Sequence, residues 1–282
     1  MRVLVTGAGG QLGREVVDAF AGHEVVAADQ PTVDVGDRER VLQLVGGARP
    51  EAVVHTAAWT DVDACESDPD QAFRINALGT RNVVEAARLV GARVCYVSTD
   101  YVFDGAAGRP YTEWDTPNPI SVYGRSKLGG EAEVGPEGTV VRTSWLCGPH
   151  GRNFVRTVLE KATQGSELRV VADQHGAFTH AGDLATMIRR LVVERRTGVY
   201  HVTNQGTTTW YRLACDALAI AGLDSGLVHP IETSQMDPPR AAARPAFAVL
   251  DNAALRLSGV PLLPDHQDAL RRLVPTLLDG TS

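Results

Sequence analysis

Lysine is nearly absent from this sequence. Of its 27 basic residues only Lys127 and Lys161 are lysines, and the rest are arginines. With a net charge of −7 the chain carries no general attraction for a polyanion, which argues against non-specific nucleic-acid binding. Cysteine is scarce too: Cys65, Cys95, Cys147 and Cys215 stand far apart, with no CxxC pair for zinc or redox work. Reduced, buried thiols in a cytoplasmic protein are expected. No apolar run approaches the length that spans a bilayer, so no membrane association is expected. The opening MRVLVTGAGG breaks into glycines too early for a signal peptide. The eight histidines show no HExxH spacing, and neither an internal repeat nor a low-complexity tract is present.

What is present is alternation. Short β-branched runs at 2–6, 24–28, 52–56, 93–99 and 139–143 are separated by amphipathic stretches, including one long helix expected over 70–90. Such runs imply parallel strands buried on both faces, hence a Rossmann-type, doubly wound α/β sheet with ligands at the carboxyl ends of the strands. Beyond Trp145 the pattern loosens. Helices are expected at 153–163, 182–193 and 209–221, with a terminal helix from near 265, and 223–265 reads as loop. The expected division is a dinucleotide-binding domain over 1–143 and a smaller, mixed α/β substrate-binding lobe over 144–282. Strands at 168–171 and 199–202 are expected to return to the first domain's sheet.

Two local motifs carry chemistry. TGAGGQLG places Gly7, Gly10 and Gly13 between the first strand and its helix, where a tight turn can bring backbone N–H groups onto a diphosphate. Asp29 follows at the end of the second strand, positioned for adenosine ribose hydroxyls. It would repel a 2′-phosphate and favour NAD, whereas Arg14 would offset that, so NADPH and NADH both remain expected. The second motif is SVYGRSKLGGE, with Tyr123 one helical turn before Lys127. Six tyrosines and two lysines predict roughly 0.04 chance matches to Tyr-x-x-x-Lys, so the pairing is informative.

TGxxGxxG, a strand ending in STDYVFDG and YxxxK together resemble the extended short-chain dehydrogenase/reductase superfamily. VVHTAAWTDVDACE, INALGT, RTSW, VVADQHGAFTHAGDLA, GVYHVTNQGTTTWY and ARPAFAVLD extend the match along the chain. The whole resembles the dTDP-4-dehydrorhamnose reductase family. The resemblance implies reduction of the 4-keto group of dTDP-4-dehydro-L-rhamnose to dTDP-L-rhamnose by NADPH or NADH, in nucleotide-sugar biosynthesis. Tyr123 would be the proton donor, Lys127 would stabilise the phenolate and reach the nicotinamide ribose, and Thr99 would align the carbonyl. Gln11, Leu12, Ala57 and Ala58 would join Gly7, Gly10, Gly13, Asp29, Tyr123 and Lys127 at the cofactor. Thr99, Asp100, Tyr101, Trp145, Asn153, Phe154, Gln174 and Arg244 would meet the dTDP-sugar, with a packing role open for Tyr101 and Trp145. Asn76 matches an asparagine that often anchors a water chain.

Other readings compete. A dehydratase needs the adjacent Asp-Glu pair that relatives carry, and Asp100-Tyr101 lacks its second half. An epimerase or a non-catalytic regulatory subunit fits less well. Phe178 stands where the family usually has proline and Ala248 where it has serine. Both weaken the assignment of the sugar and keep open a ketoreductase acting on another dTDP-4-keto-6-deoxy sugar, of the streptose type, in an antibiotic pathway. Some relatives dimerise through magnesium held by glutamates. Here Glu15 is kept, but Asp183 and the stretch around Thr276 replace the others, so no metal is expected, and a monomer or weak homodimer is.

Overall fold

A computed structural model describes residues 1–279. The chain opens with β1 (Arg2–Thr6), α1 (Gln11–Ala19), β2 (Glu24–Ala28), α2 (Arg38–Ala48) and β3 (Ala52–His55). Then come α3 (Val62–Ser67), α4 (Pro69–Phe73), a π-helical turn at Arg74–Leu78, α5 (Gly79–Val90) and β4 (Arg93–Thr99). After a loop follow α6 (Val122–Val134), β5 (Thr139–Thr143), β6 (Leu146–Cys147), α7 (Phe154–Thr163), β7 (Leu168–Val171), β8 (His175–Gly176) and β9 (Thr179–His180). The remainder is α8 (Ala181–Val193), β10 (Gly198–His201), β11 (Thr208–Thr209), α9 (Trp210–Ile220), β12 (Val228–Ile231), α10 (Ala253–Leu257) and α11 (His266–Asp279).

The main sheet is six-stranded and parallel, in the order β10-β5-β4-β3-β1-β2. Alternation along β1 shows why it needs covering twice. Val3 and Val5 pack with Leu12, Val16, Leu184 and Ile188 of α1 and α8, while Leu4 packs with Val41, Val45 and Val83 of α2 and α5. After β1 the chain runs to β2 on one side and then to β3 on the other. The crevice at their carboxyl ends is where open α/β sheets take ligands.

Three expectations change. The helix over 70–90 is broken by the π-helical turn, which carries Asn76 into the interior. There its amide donates to the Trp59 carbonyl and to Ser126, and its Oδ1 accepts from Trp59 N at 2.8 Å. Segment 168–171 does not return to the main sheet: β7 pairs with β12, while β10 does join β5. Arg169 is exposed, so the segment offers one apolar face, not the two that a central parallel strand requires. Its Leu168 and Val170 instead enter a second core built from α7, α9 and α11. Within 223–265, β12 and α10 form, and an extended strap runs back across the first domain. Along it Tyr111 N donates to Val249 O at 2.8 Å, and His175 N to Ala246 O at 2.8 Å.

Candidate active site

Gly7 has φ +71°, and a Cβ there would lie 2.7 Å from Ala57 N. At Gly13 a Cβ would overlap the Gly7 carbonyl and come within 2.7 Å of Ala8 Cα. Both need glycine for close backbone approach. Gly10 caps α1 without a side-chain hydrogen bond, leaving the helix's first N–H groups to an incoming anion. That cradle fits the diphosphate of a dinucleotide. Asp29 accepts from Gly9 N at 2.8 Å and from Gln30 N at 2.9 Å, so it pins the glycine turn while keeping acceptor capacity. Beside it a cleft of about 470 Å³ is walled by Val33, Val35, Ala57, Ala58, Trp59 and Gln71. Of this wall Ala57 and Ala58 were expected at the cofactor; Val33, Val35 and Gln71 carry no local signal.

An adjoining cleft of about 450 Å³ brings Gly7, Gly10, Gln11, Leu12, Gly13 and Ala58 to the same space as Thr99, Asp100, Tyr123, Lys127, Trp145 and Asn153. Ser121 caps α6 by accepting from Gly124 N at 3.1 Å, which holds Tyr123 in the first turn. The Lys127 ammonium rests on β4. Lys127 Nζ donates to Val97 O at 2.7 Å and lies 4.1 Å from the Tyr96 ring centre. The long lysine stem reaches past the phenol to β4. Burial pulls its ammonium down to about 7, against the opposing pull of Glu131. Burial raises the Tyr123 phenol above its ordinary range, with Thr99 lowering it and Asp100 and Tyr101 raising it further.

Thr99 Oγ1 donates to Asp100 Oδ1 at 3.0 Å and accepts from Tyr101 N at 3.2 Å. Behind the cleft, Glu131 pairs with Arg142 at 2.7 Å and accepts from Ser98 Oγ at 2.5 Å. The two charged side chains are only 7% and 4% exposed, a buried pair.

Asn153 caps α7 and donates to Gln11 Oε1 at 3.0 Å, while Gln11 Nε2 donates to Leu146 O at 3.0 Å. These bonds tie the glycine-loop helix to the second lobe. Trp145 lines the cleft with φ +45° and stacks on Trp210, with ring centres 3.7 Å apart. Tyr101 packs edge-on to Tyr123 behind the wall.

Besides Tyr101, three expected substrate contacts lie outside both clefts. Phe154 is spent edge-on against Trp210, and Gln174 is buried and donates to Thr233 Oγ1 at 3.0 Å. Arg244 makes a bidentate pair with Asp63 of α3, at 2.6 and 2.7 Å. Phe178 and Ala248 are buried and line neither cleft, so the two family departures do not touch the site. Asp183 is held by Arg272 at 2.9 and 2.6 Å. Sequence reading missed Thr143 and Arg152, which also line the reacting cleft. Arg152 was findable as a cation immediately before a helix-capping asparagine. Thr143, at the carboxyl end of β5, holds a buried hydroxyl without a partner.

The family described as the RmlD substrate binding domain matches residues 1–278. The chain is 39% identical to a dTDP-4-dehydrorhamnose reductase of Streptomyces griseus, over 98% of this chain and 94% of that relative. It is 41% identical to a probable dTDP-4,6-dihydroxy-2-methyloxan-3-one 4-ketoreductase of Streptomyces antibioticus, over 99% and 96%. The solved dTDP-4-dehydrorhamnose reductase of Bacillus anthracis, in complex with NADP, is similar at TM-score 0.93 and 38% identity, covering 96% of this chain and 98% of that one.

Proposed function

The chain belongs to the RmlD substrate-binding-domain family, and from that premise we propose that it is an NAD(P)H-dependent oxidoreductase that reduces dTDP-4-dehydro-L-rhamnose to dTDP-L-rhamnose. The observation that carries the reading is one cleft lined at once by the glycine turn and by Thr99, Tyr123 and Lys127. The uncapped start of α1 and the Asp29 carboxylate would hold the dinucleotide. Bound there, the reduced nicotinamide supplies the hydride for the 4-keto carbon. The alkoxide so formed is a far stronger base than a phenolate, so Tyr123 gives up its proton downhill even with its raised pKa. Lys127 has three donors and spends one on Val97, leaving two for the ribose and the phenolate. Trp145 and Asn153 would meet the sugar nucleotide, and the chain would work as a monomer or weak homodimer.

Mixing the purified chain with dTDP-4-dehydro-L-rhamnose and NADPH, or NADH, is expected to consume reduced cofactor in one-to-one proportion with the ketone. Product without consumption would mean an epimerase, and neither would mean a binding protein. A second reading, reduction of another dTDP-4-keto sugar, is favoured by the 41% identity to the Streptomyces antibioticus ketoreductase. Parallel kcat/KM values for several such ketones decide between them.

Gly13→Ala is expected to weaken NADPH binding by at least about tenfold, since the new methyl meets backbone that can yield only by opening the turn. Calorimetric titration checks this, and an unchanged Kd would remove the diphosphate from that turn.

A further inference from the structure

Asp100 is 2% exposed, and its Oδ2 is buried without a hydrogen-bond partner although the residue lines the reacting cleft. Its other oxygen accepts the Thr99 hydroxyl at 3.0 Å. That hydroxyl has one hydrogen and two lone pairs. One lone pair takes Tyr101 N at 3.2 Å, and the Tyr123 phenol is a further neighbour. While Asp100 is a carboxylate, the only Thr99 hydrogen points at Asp100, and nothing on Thr99 is left to donate to a substrate carbonyl. The second lone pair is then free to capture the Tyr123 O–H. Both groups that should greet the carbonyl are turned away from it.

We propose that Asp100 acts as a neutral carboxylic acid and is a positioning residue. Its O–H donates to Thr99 Oγ1, fills the second lone pair, and turns the Thr99 hydrogen and the Tyr123 O–H toward the ketone oxygen. The proposal rests on the reductase reading of this cleft. Burial supports it by pushing the Asp100 carboxyl up to about 7, against weaker lowering by Thr99 and backbone N–H groups. The titratable groups around it are Tyr101 on its own segment, Tyr123 and Lys127 of α6, Cys65 of α3, and Arg240 and Arg244 of the strap. The cations among them have other carboxylates: Arg244 and Arg240 interact with Asp63, and Lys127 with Glu131. Arg152 lines the same cleft, and neither it nor any other cation is among the groups acting on the Asp100 carboxyl.

Asp100→Asn tests this, because an amide N–H donates to Thr99 at every pH. Lys127 titrates in the same range, so the quantity to measure is the ratio of variant to wild-type kcat/KM, in which that shared titration cancels. The ratio is expected to rise at least about tenfold between about pH 6 and about pH 8.5, as the wild type ionises. A ratio that stays flat or falls with pH overturns the proposal, as does a hundred-fold loss at every pH, which would mean the carboxylate is the working form. A second readout uses the unaltered chain. With aspartate labelled at its carboxyl carbon, one NMR resonance is expected to titrate near neutral pH, and full ionisation of every aspartate by about pH 6 overturns the proposal whatever the variant does. If the wild type consumes no reduced cofactor with any dTDP-4-keto sugar, the reductase reading itself fails, a different result from either of these.

Discussion

Replacing Tyr123 with phenylalanine is expected to lower kcat by roughly 10² or more while leaving the fold intact and NADPH still bound. The ring packs edge-on to Tyr101, with centres 5.7 Å apart, and phenylalanine preserves that contact. Only the hydroxyl is lost, and with it the proton for the alkoxide. A hundredfold loss is about 2.7 kcal/mol of transition-state stabilisation, well above the net value of an ordinary hydrogen bond. Steady-state rates with saturating ketone and NADPH measure the effect, and NADPH titration confirms that binding survives. Turnover within threefold of wild type would assign the proton to another group.

Removing the Glu131 carboxylate is expected to be strongly destabilising. Glu131→Ala leaves the Arg142 guanidinium 4% exposed and without its carboxylate, and it strips Ser98 of its acceptor. Arg142 keeps only His201 at 3.4 Å and the Phe103 ring, whose centre is 5.2 Å away. Burial and the Arg142 charge hold His201 down to about 3, so it is neutral and supplies no counter-charge. Breaking a buried pair from one side costs about 3–5 kcal/mol, whereas exchanging both partners for apolar residues is often neutral. Glu131→Leu combined with Arg142→Met should therefore melt closer to wild type than either single variant, as scanning calorimetry would show. Equal melting points for the single variants and wild type would mean that water already reaches the pair.

The same carboxylate bears on activity. Glu131 opposes the burial that pulls Lys127 down to about 7, so without it the ammonium should titrate lower still. At neutral pH a smaller fraction of Lys127 is then charged, and the activity of any folded Glu131→Gln protein should reach its maximum at a more acidic pH.

Much of the site was legible because its signals are local. The glycine turn lies within one strand–helix junction, and Tyr123 and Lys127 lie within one helical turn, so spacing alone placed them on a shared surface. The partners of Arg244 and Gln174 were illegible for the opposite reason. A buried arginine goes wherever a carboxylate can pair with it, and Asp63 lies 181 residues away in sequence. The π-helical turn was hidden too, because its cause is the fit of Asn76 between Trp59 and Ser126, which no periodicity records.

By itself the sequence determined the parallel sheet, the glycine turn after β1 and the placing of Tyr123 and Lys127 one helical turn apart, since each follows from backbone sterics or from residues within one element. Only the tertiary structure decided that Lys127 rests on the Val97 carbonyl, that Arg244 closes on Asp63, and that Thr99 and the buried Asp100 share a hydrogen bond. Those outcomes are settled by which polar groups meet away from water, where each donor needs an acceptor and the partner can come from any part of the chain.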